Sequence, residues 1–484
     1  MKKLTGLIII LAVLVLGGYY GMGVITEKTI KRNINVVNQS NGLYADIVEY
    51  NRHWFNSDAK INWRMHIPER IVKNSKGESE TVAAQDFQME MPIIIHHGPI
   101  IYANHKLRFG MGYAVSDIKL PTKYTEQFDT AFTKESIKPQ LDLSIFVNYF
   151  NRSTLALELP TFKLVAKDGT GTVDWLGMKS TTKMSPGLQK IQGDVVLDGI
   201  NVNKDDTKVT LGKVSSDYDL YQTASGLYLG DASFNLPSID VDVKNQKMFE
   251  LRDLSISSDS DIDNSLFNMH FSASLKSVLA NGLNYGPGSF EVSLRNLDAD
   301  VLAKINQQAT AMQNGTEIER QQAMLAMLPE LPKMFSKGAE LEISTLNMKL
   351  PQGSVDGNLL VALPKADNIN PYELFQKVKG NAKFKAPVAV VKQLIQQSVL
   401  QQMATEPDMQ QALIQQLQSA QPQANQAVPT TEQLAGMQTD KKLAALEQSG
   451  FLVVEGSDYL IEMNLEQGKF TVNGKPFDSS MVKF

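Results

Sequence analysis

Cysteine is absent from the 484-residue chain. Its absence excludes disulfides, thiolate metal ligands and a cysteine nucleophile, and it permits export to an oxidising compartment without arguing for it. A dominant charge is lacking too: 47 Lys and Arg are set against 52 Asp and Glu, with both signs dispersed. A field suited to nucleic acid is therefore excluded, and no basic patch with interleaved aromatics stands against that. The chain carries neither HExxH nor G-x-S-x-G. "DGTGTVDWLG", Asp168 to Gly177, has phosphate-loop glycines, but no lysine-serine follows it.

Long apolar runs are scarce, and the exception is informative. After Met1, Lys2 and Lys3 the chain reads "LTGLIIILAVLVLGGYYGMGVI", Leu4 to Ile25, without a charge. About 20 apolar residues span a bilayer as a helix, so the run is long enough. No A-x-A cleavage pattern follows, and Tyr19 and Tyr20 suit a membrane interface, which favours an uncleaved anchor over residues 1–26. Lys28, Lys31 and Arg32 blunt the charge asymmetry that sets orientation. The short tail ahead of an export-like core still favours a cytoplasmic start and an exported body.

From Glu27 to about residue 297 the pattern is short alternating stretches punctuated by Gly, Asn, Asp or Pro, such as "TFKLVA" and "GDVVLDGINV". Period-two alternation reads as antiparallel strands with one face buried. Two segments depart from it. Residues 298–338 carry a helical pattern broken at Asn314-Gly315, with Thr316 and Glu319 at capping-box spacing. Residues 387–449 are rich in glutamine, with Val391, Leu394, Ile395 and Val399 on one helical face, Met409, Leu413 and Leu417 marking a shorter helix, and "QPQANQAVP" as a linker. Residues 339–386 predict a hairpin around "PQGSVDG", and 450–484 a β return with turns at Glu455-Gly456, Gln467-Gly468 and Asn473-Gly474. The expected fold is mainly β, a β-rich α+β body of long antiparallel or stacked sheets, with two helical insertions and one transmembrane helix in front.

The charged start with its apolar run, the "HHGP" turn at His96 to Pro99, a second "YGPGSFEVSLRNLD" element at Tyr285 to Asp298, and the tail "GSDYLIEMNLEQGKFTVNGKPF" together resemble the YdgA-like family. That is a bacterial envelope family whose domain has no assigned function. The match follows the order of elements over nearly the whole chain through short motifs. It implies an anchor in the inner membrane and a body in the periplasm, and it supplies no catalytic residue. A more distant likeness, at the level of the fold, is to AsmA-type envelope proteins, whose long β-sheets form lipid-carrying grooves.

Of the six histidines, His53, His66, His96, His97 and His105 are the candidates for a metal or catalytic site. Adjacent strand residues point to opposite faces, so His96 and His97 reach one ion only if the chain bends at Gly98-Pro99. The plainer reading is a structural turn. Gly286-Pro287 repeats the Gly-Pro element with no histidine beside it. "DSDIDNS" sets Asp259, Asp261 and Asp263 at calcium-loop spacing, but Asn264 stands where glycine is needed and His270 where glutamate is; a polar hairpin loop is expected. Met324, Met327, Leu328 and Leu331 share a helix face, either packed on the sheet as core or presented as a pliant apolar surface. The sequence calls for no cofactor.

Three classes of function follow. The leading one is a non-enzymatic binding or structural protein of the bacterial envelope, tethered to the inner membrane and holding lipid in a sheet-lined groove. The others are a histidine-dependent metal enzyme, and an assembly factor that binds an envelope partner through its Gln-rich helices.

Overall fold

A computed structural model describes residues 2–38, 43–67, 70–73, 79–314, 317–366, 376–405, 411, 413–415 and 429–477. Strand outweighs helix, 56% against 24%, so the protein is mainly β, as the alternation requires. The chain forms two compact units, Met1–Phe249 with Asn306–Met324, and Glu250–Ile305 with Leu325–Phe484.

The first unit begins with a helix over Lys2–Val37, which runs well past the expected end of the anchor at residue 26. The reason is local. Ile30 and Ile34 lie four apart on one side, while Glu27 and Lys31, also four apart, form an ion pair at 2.7 Å. Ile34 is buried in a cluster with Ala45, Ala59, Ile61, Met91, Ile93, Ile95 and Ile118, and Ile30 packs against it. Among the described residues no helix is both long and apolar enough to cross a membrane. The side chains of residues 1–14, which hold much of the apolar run, lie outside the described residues.

Behind this helix the strands of the main sheet form an antiparallel meander in chain order, with Arg70–Lys73 and Ser79–Val82, and Ile100–Ala103 and Lys106–Phe109, set apart as two-stranded sheets. Leu43–Arg52, Asn56–Ile67, Gln85–His97, Gly112–Lys119 and Gln140–Val147 come first. A short helix, Thr122–Ala131, interrupts them where the sequence predicts no helix. From Ser153 to Gln222 each strand is broken once, the breaks line up, and in the continuous strand Tyr228–Val243 the ladder switches partner at the same line. Leu159 pairs with Met178 while Phe162 pairs with Trp175; Leu197 pairs with Val214 while Ile200 pairs with Leu211. Pro160, Gly177, Gly199, Gly212 and Pro237 stand at these breaks. Proline brings no ladder N–H. Gly199 has φ 131, and a Cβ there would lie 2.7 Å from the Leu211 carbonyl oxygen. The alternation changes parity at each break, from Leu157 and Leu159 to Phe162 and Leu164, as an inserted bulge residue requires.

The second unit is also a meander: 250–263 of the strand Gln246–Asp263, then Leu266–Leu275, Gly288–Asp298, Glu340–Leu350, Gly353–Ala362, Lys379–Pro387 and Asp458–Glu466. The hairpin turn is only Pro351-Gln352, so most of "PQGSVDG" belongs to a strand. In the tail Gln467-Gly468 and Asn473-Gly474 are turns with positive φ at both residues, where Asn and Gly are the favoured chemistry. The segment from Asp298 to Phe335 forms helices Ala299–Asn314, Glu317–Met327 and Leu331–Met334; Thr316 lies outside the described residues.

The Gln-rich segment forms Val388–Thr405 and Thr431–Ser449. Val399 and Met403 are buried against Leu434 and Ala435, and Leu443 is buried with Leu452 and Tyr459 against Val388, Val391 and Ile395. These helices are therefore part of the second unit's core. Leu394, expected on the buried face, is exposed; Met409, Leu417 and nearly all of the linker lie outside the described residues. Tyr459 donates its hydroxyl to Glu447, and burial, then that carboxylate, push its own ionisation up to about 12. Thr430 caps the second helix reciprocally. Its Oγ1 accepts from Gln433 N at 3.3 Å, and its N donates to Gln433 Oε1 at 2.9 Å. Thr430→Ala is expected to cost about 1 kcal/mol, read as a lower denaturant midpoint with an unchanged slope.

Candidate functional site

Residues directly opposite in an antiparallel ladder lie on one face, so the registers trace rows across a sheet. In the first unit one row runs Leu143, Leu157, Ser180, Val195, Ser216, Phe234, and the next Ile145, Leu155, Thr182, Gly193, Tyr218, Ala232. The row between them is Ser144, Ala156, Thr181, Asp194, Asp217, Ser233. One face is thus predominantly apolar and the other polar. Beyond the aligned breaks the contrast sharpens. Phe162, Trp175, Ile200, Leu211 and Ile239 form one row, and Leu164, Val173, Val202, Val209 and Val241 another, without a polar residue in either. Phe162 stacks on Trp175 at 5.7 Å.

These side chains are half-buried rather than buried. Among the described residues of the strands from Gln140 to Val243, only Leu229 and Leu236 are fully buried apolar side chains. An antiparallel sheet normally covers its apolar face with a second layer. Here the N-terminal helix packs on the first strands, Leu43–Arg52, Gln85–His97 and Gly112–Lys119, and leaves the later ones. Each half-buried Leu or Val forgoes on the order of 1 kcal/mol that complete burial would supply. The second unit repeats the arrangement: Phe271, Val292, Ile343, Leu359, Ala382 and Met463 form a continuous half-buried apolar row.

The histidines do not assemble into a site. His53 is exposed with its ring 3.1 Å from Asp58, and His66 is exposed with its ring 2.7 Å from Asp86. His66 lies ten residues along the strand from Asn56, which pairs with His96, and so stands about 33 Å away. His105 sits exposed in a turn at φ 56. His96 and His97 take opposite faces. His96 stacks on Tyr113 at 6.5 Å, and its proton affinity is lowered by burial and by Arg108, with Asp58 opposing. His97 faces the N-terminal helix at 1% exposure, where a Cβ on Gly23 would lie 2.7 Å from its Cε1. Neither ring nitrogen of His97 has a well-formed hydrogen bond. Burial holds its proton affinity down, and the carbonyls of Asn56 and Tyr19 only partly oppose this. Among the described residues no group of three His, Asp or Glu is placed to hold a metal ion.

Gly98-Pro99 and Gly286-Pro287, with φ 127 and 96 at the glycines, interrupt strands that then continue, whereas the expectation was a turn at each; the chain reverses instead at Asn104-His105 and Asn281-Gly282. Asp259, Asp261 and Asp263 stand at alternate positions of an extended strand rather than in a loop, and the turn is confined to Asn264-Ser265. Their spacing along a strand prevents them from wrapping a cation. Met324, Leu328 and Leu331 are exposed and Met327 is half-buried, so this face is surface and not core.

Each unit's sheet thus carries half-buried apolar rows, and no polar centre assembles among the described residues. A family model described as a bacterial protein of unknown function (DUF945) matches residues 1–479, and the chain belongs to that family. No curated protein matches it.

Proposed function

We propose that the protein is a membrane-tethered binding protein of the bacterial envelope, and that its apolar sheet face holds the acyl chains of a lipid. The carrying observation is the pair of wholly apolar rows through Trp175 and Val202, half-buried and continuous across five strand segments. Such a surface offers no directional polar contact, which suits a ligand bound by area and not by hydrogen bonds. The uncharged run Leu4–Ile25 supports an inner-membrane anchor, with the body in the periplasm and lipid within reach. The YdgA-like resemblance and the distant AsmA-type likeness agree with this reading by analogy.

The test is lipid analysis of the full chain purified gently from membranes. Wild-type protein should retain lipid, Val202→Asp on the apolar face should lose most of it, and Asn203→Asp on the other face should keep it. A photocrosslinking residue at Val209 guards against misfolding of the Asp variant and should capture lipid in otherwise wild-type protein. Wild-type protein free of lipid, or a Val202→Asp variant that folds and retains it, overturns the proposal.

A further inference from the structure

At one end of the first unit's sheet three chain reversals meet. Residues 53–55 join Leu43–Arg52 to Asn56–Ile67, residues 98–111 follow Gln85–His97, and residues 148–152 join Gln140–Val147 to Ser153–Leu159. The registers Asn56 with His96 and Gly112 with Val147 place all three at the same end. The N-terminal helix passes there. Tyr19 donates to the Ile100 carbonyl at 2.5 Å and meets Phe55 edge-on at 4.9 Å, and Tyr20 lies 5.8 Å from Trp54. Further along, Gly23 reaches His97 and Ile34 enters the core, so toward its start the helix leaves the body at these reversals.

Their outward residues are of the wrong kind for water. The hairpin Ile100–Ala103 with Lys106–Phe109 turns Ile101 and Ala103 inward onto Tyr113. Its outward face should be polar by ordinary alternation. Instead Ile100 stands opposite Phe109 and Tyr102 opposite Leu107, all four exposed. In the 148–152 reversal Asn148 Oδ1 accepts from Phe150 N at 2.9 Å and from Arg152 N at 3.1 Å, which fixes the turn and leaves Phe150 80% exposed at its apex. Trp54 and Phe55 are exposed as well. Charge follows one sign: residues 98–111 and 148–152 hold Lys106, Arg108 and Arg152 and no Asp or Glu.

Length decides how deep this end must lie. From Leu4 to Gly17, ahead of the first contacts with the body among the described residues, the helix rises about 21 Å. The hydrocarbon core is about 30 Å thick. The remainder must come from residues 18–23, which are already packed among the reversals.

We propose that these three reversals form an aromatic collar around the helix that is immersed in the bilayer interface, with the exposed Lys106 and Arg152 beside anionic lipid headgroups, while Arg108 is held on the inward face over the Tyr113 ring at 3.8 Å. This rests on the membrane-anchor reading. Amphipathic rings and basic side chains both concentrate at that depth.

The absence of cysteine makes the test direct. Single cysteines at Tyr102, Phe150, Gln85 and Ala12 in the full chain are labelled with a polarity-sensitive fluorophore. The protein is then reconstituted into phosphatidylethanolamine–phosphatidylglycerol vesicles with and without lipids carrying a quencher near the headgroup, which reports on 102, 150 and 85, or in the middle of the acyl chain, which reports on 12. Gln85 is the dry-land control, about 36 Å away along the strands. Quenching at 12, 102 and 150 with none at 85 is the expected result. Quenching at 12 alone keeps the anchor and overturns the collar. Absence of quenching at 12 together with failure to float with vesicles overturns the anchor, and the collar with it. Lys106→Glu with Arg152→Glu should weaken quenching at 102 in these vesicles and leave it unchanged in vesicles of neutral lipid; equal effects in both remove the headgroup contact.

Discussion

Gly98→Ala is expected to release the N-terminal helix from the sheet at its collar end. Gly98 has φ 127, a conformation that side-chain-bearing residues rarely adopt. A Cβ there would lie 2.0 Å from Cδ1 and 2.1 Å from Cε1 of Tyr19. That ring is held on two sides, because its hydroxyl is bonded to the Ile100 carbonyl and it makes a T-shaped contact with Phe55. Backbone strain, the aromatic contact and the hydrogen bond together amount to about 3 kcal/mol. Gly169→Ala is the matched comparison, at φ 73 with nothing within 4 Å of the added carbon. It should cost only the backbone part, about 1 kcal/mol. Thermal midpoints and protease sensitivity near Tyr19 and Tyr20 measure the difference; equal losses in the two variants would sink the account.

Acid is expected to loosen the same docking through His97. The ring is buried between the sheet and Gly23. Burial first, then the nearby charges of Arg52 and His96, hold its proton affinity below the ordinary value of 6.5, against the opposing carbonyls of Asn56 and Tyr19. In the unfolded chain the imidazole binds its proton at the ordinary value. As pH falls below 6.5 the unfolded chain therefore takes up the proton first, and stability falls. The loss continues until the folded-state value is reached and then stops growing; above 6.5 the contribution is flat. One proton sets the limiting slope at about 1.4 kcal/mol per pH unit. His96, also lowered, acts in the same direction. Thermal midpoints of wild type and His97→Phe, compared from about pH 7.5 down to about pH 5, should converge or cross as the acid-sensitive group is removed. Parallel curves would refute the role of His97.

Much of the architecture was legible because its signals are local. Alternation gave the strands, and Gly or Asn at Gln467-Gly468 and Asn473-Gly474 gave the turns, since positive φ is a property of single residues. The opposite orientation of His96 and His97 followed from strand geometry alone, but not which of them is buried. That depends on the N-terminal helix continuing beyond residue 26. The i,i+4 pairs Ile30 with Ile34 and Glu27 with Lys31 signalled the continuation, but the apolar run before them masked it. Thr122–Ala131 is too short and too polar to stand out. The apolar rows themselves were invisible, because a row is made of residues from five strands and exists only once register is fixed. Pro160, Gly177, Gly199, Gly212 and Pro237 read singly as turn residues, and only their alignment shows one continuous line of breaks.

In the first unit's main sheet the strands pair in chain order, with only the two-stranded insertions Arg70–Lys73 with Ser79–Val82 and Ile100–Ala103 with Lys106–Phe109 standing outside it among the described residues. Loop closure is therefore inexpensive at each step, and the sheet can grow by adding the next hairpin to the last in the order in which the chain emerges. Its energetics approach those of a linear array with nearest-neighbour couplings, as in stacked repeats. Such an array tolerates gain or loss of a hairpin with only the flanking ladders disturbed, so the apolar face can be lengthened or shortened without redesigning the rest.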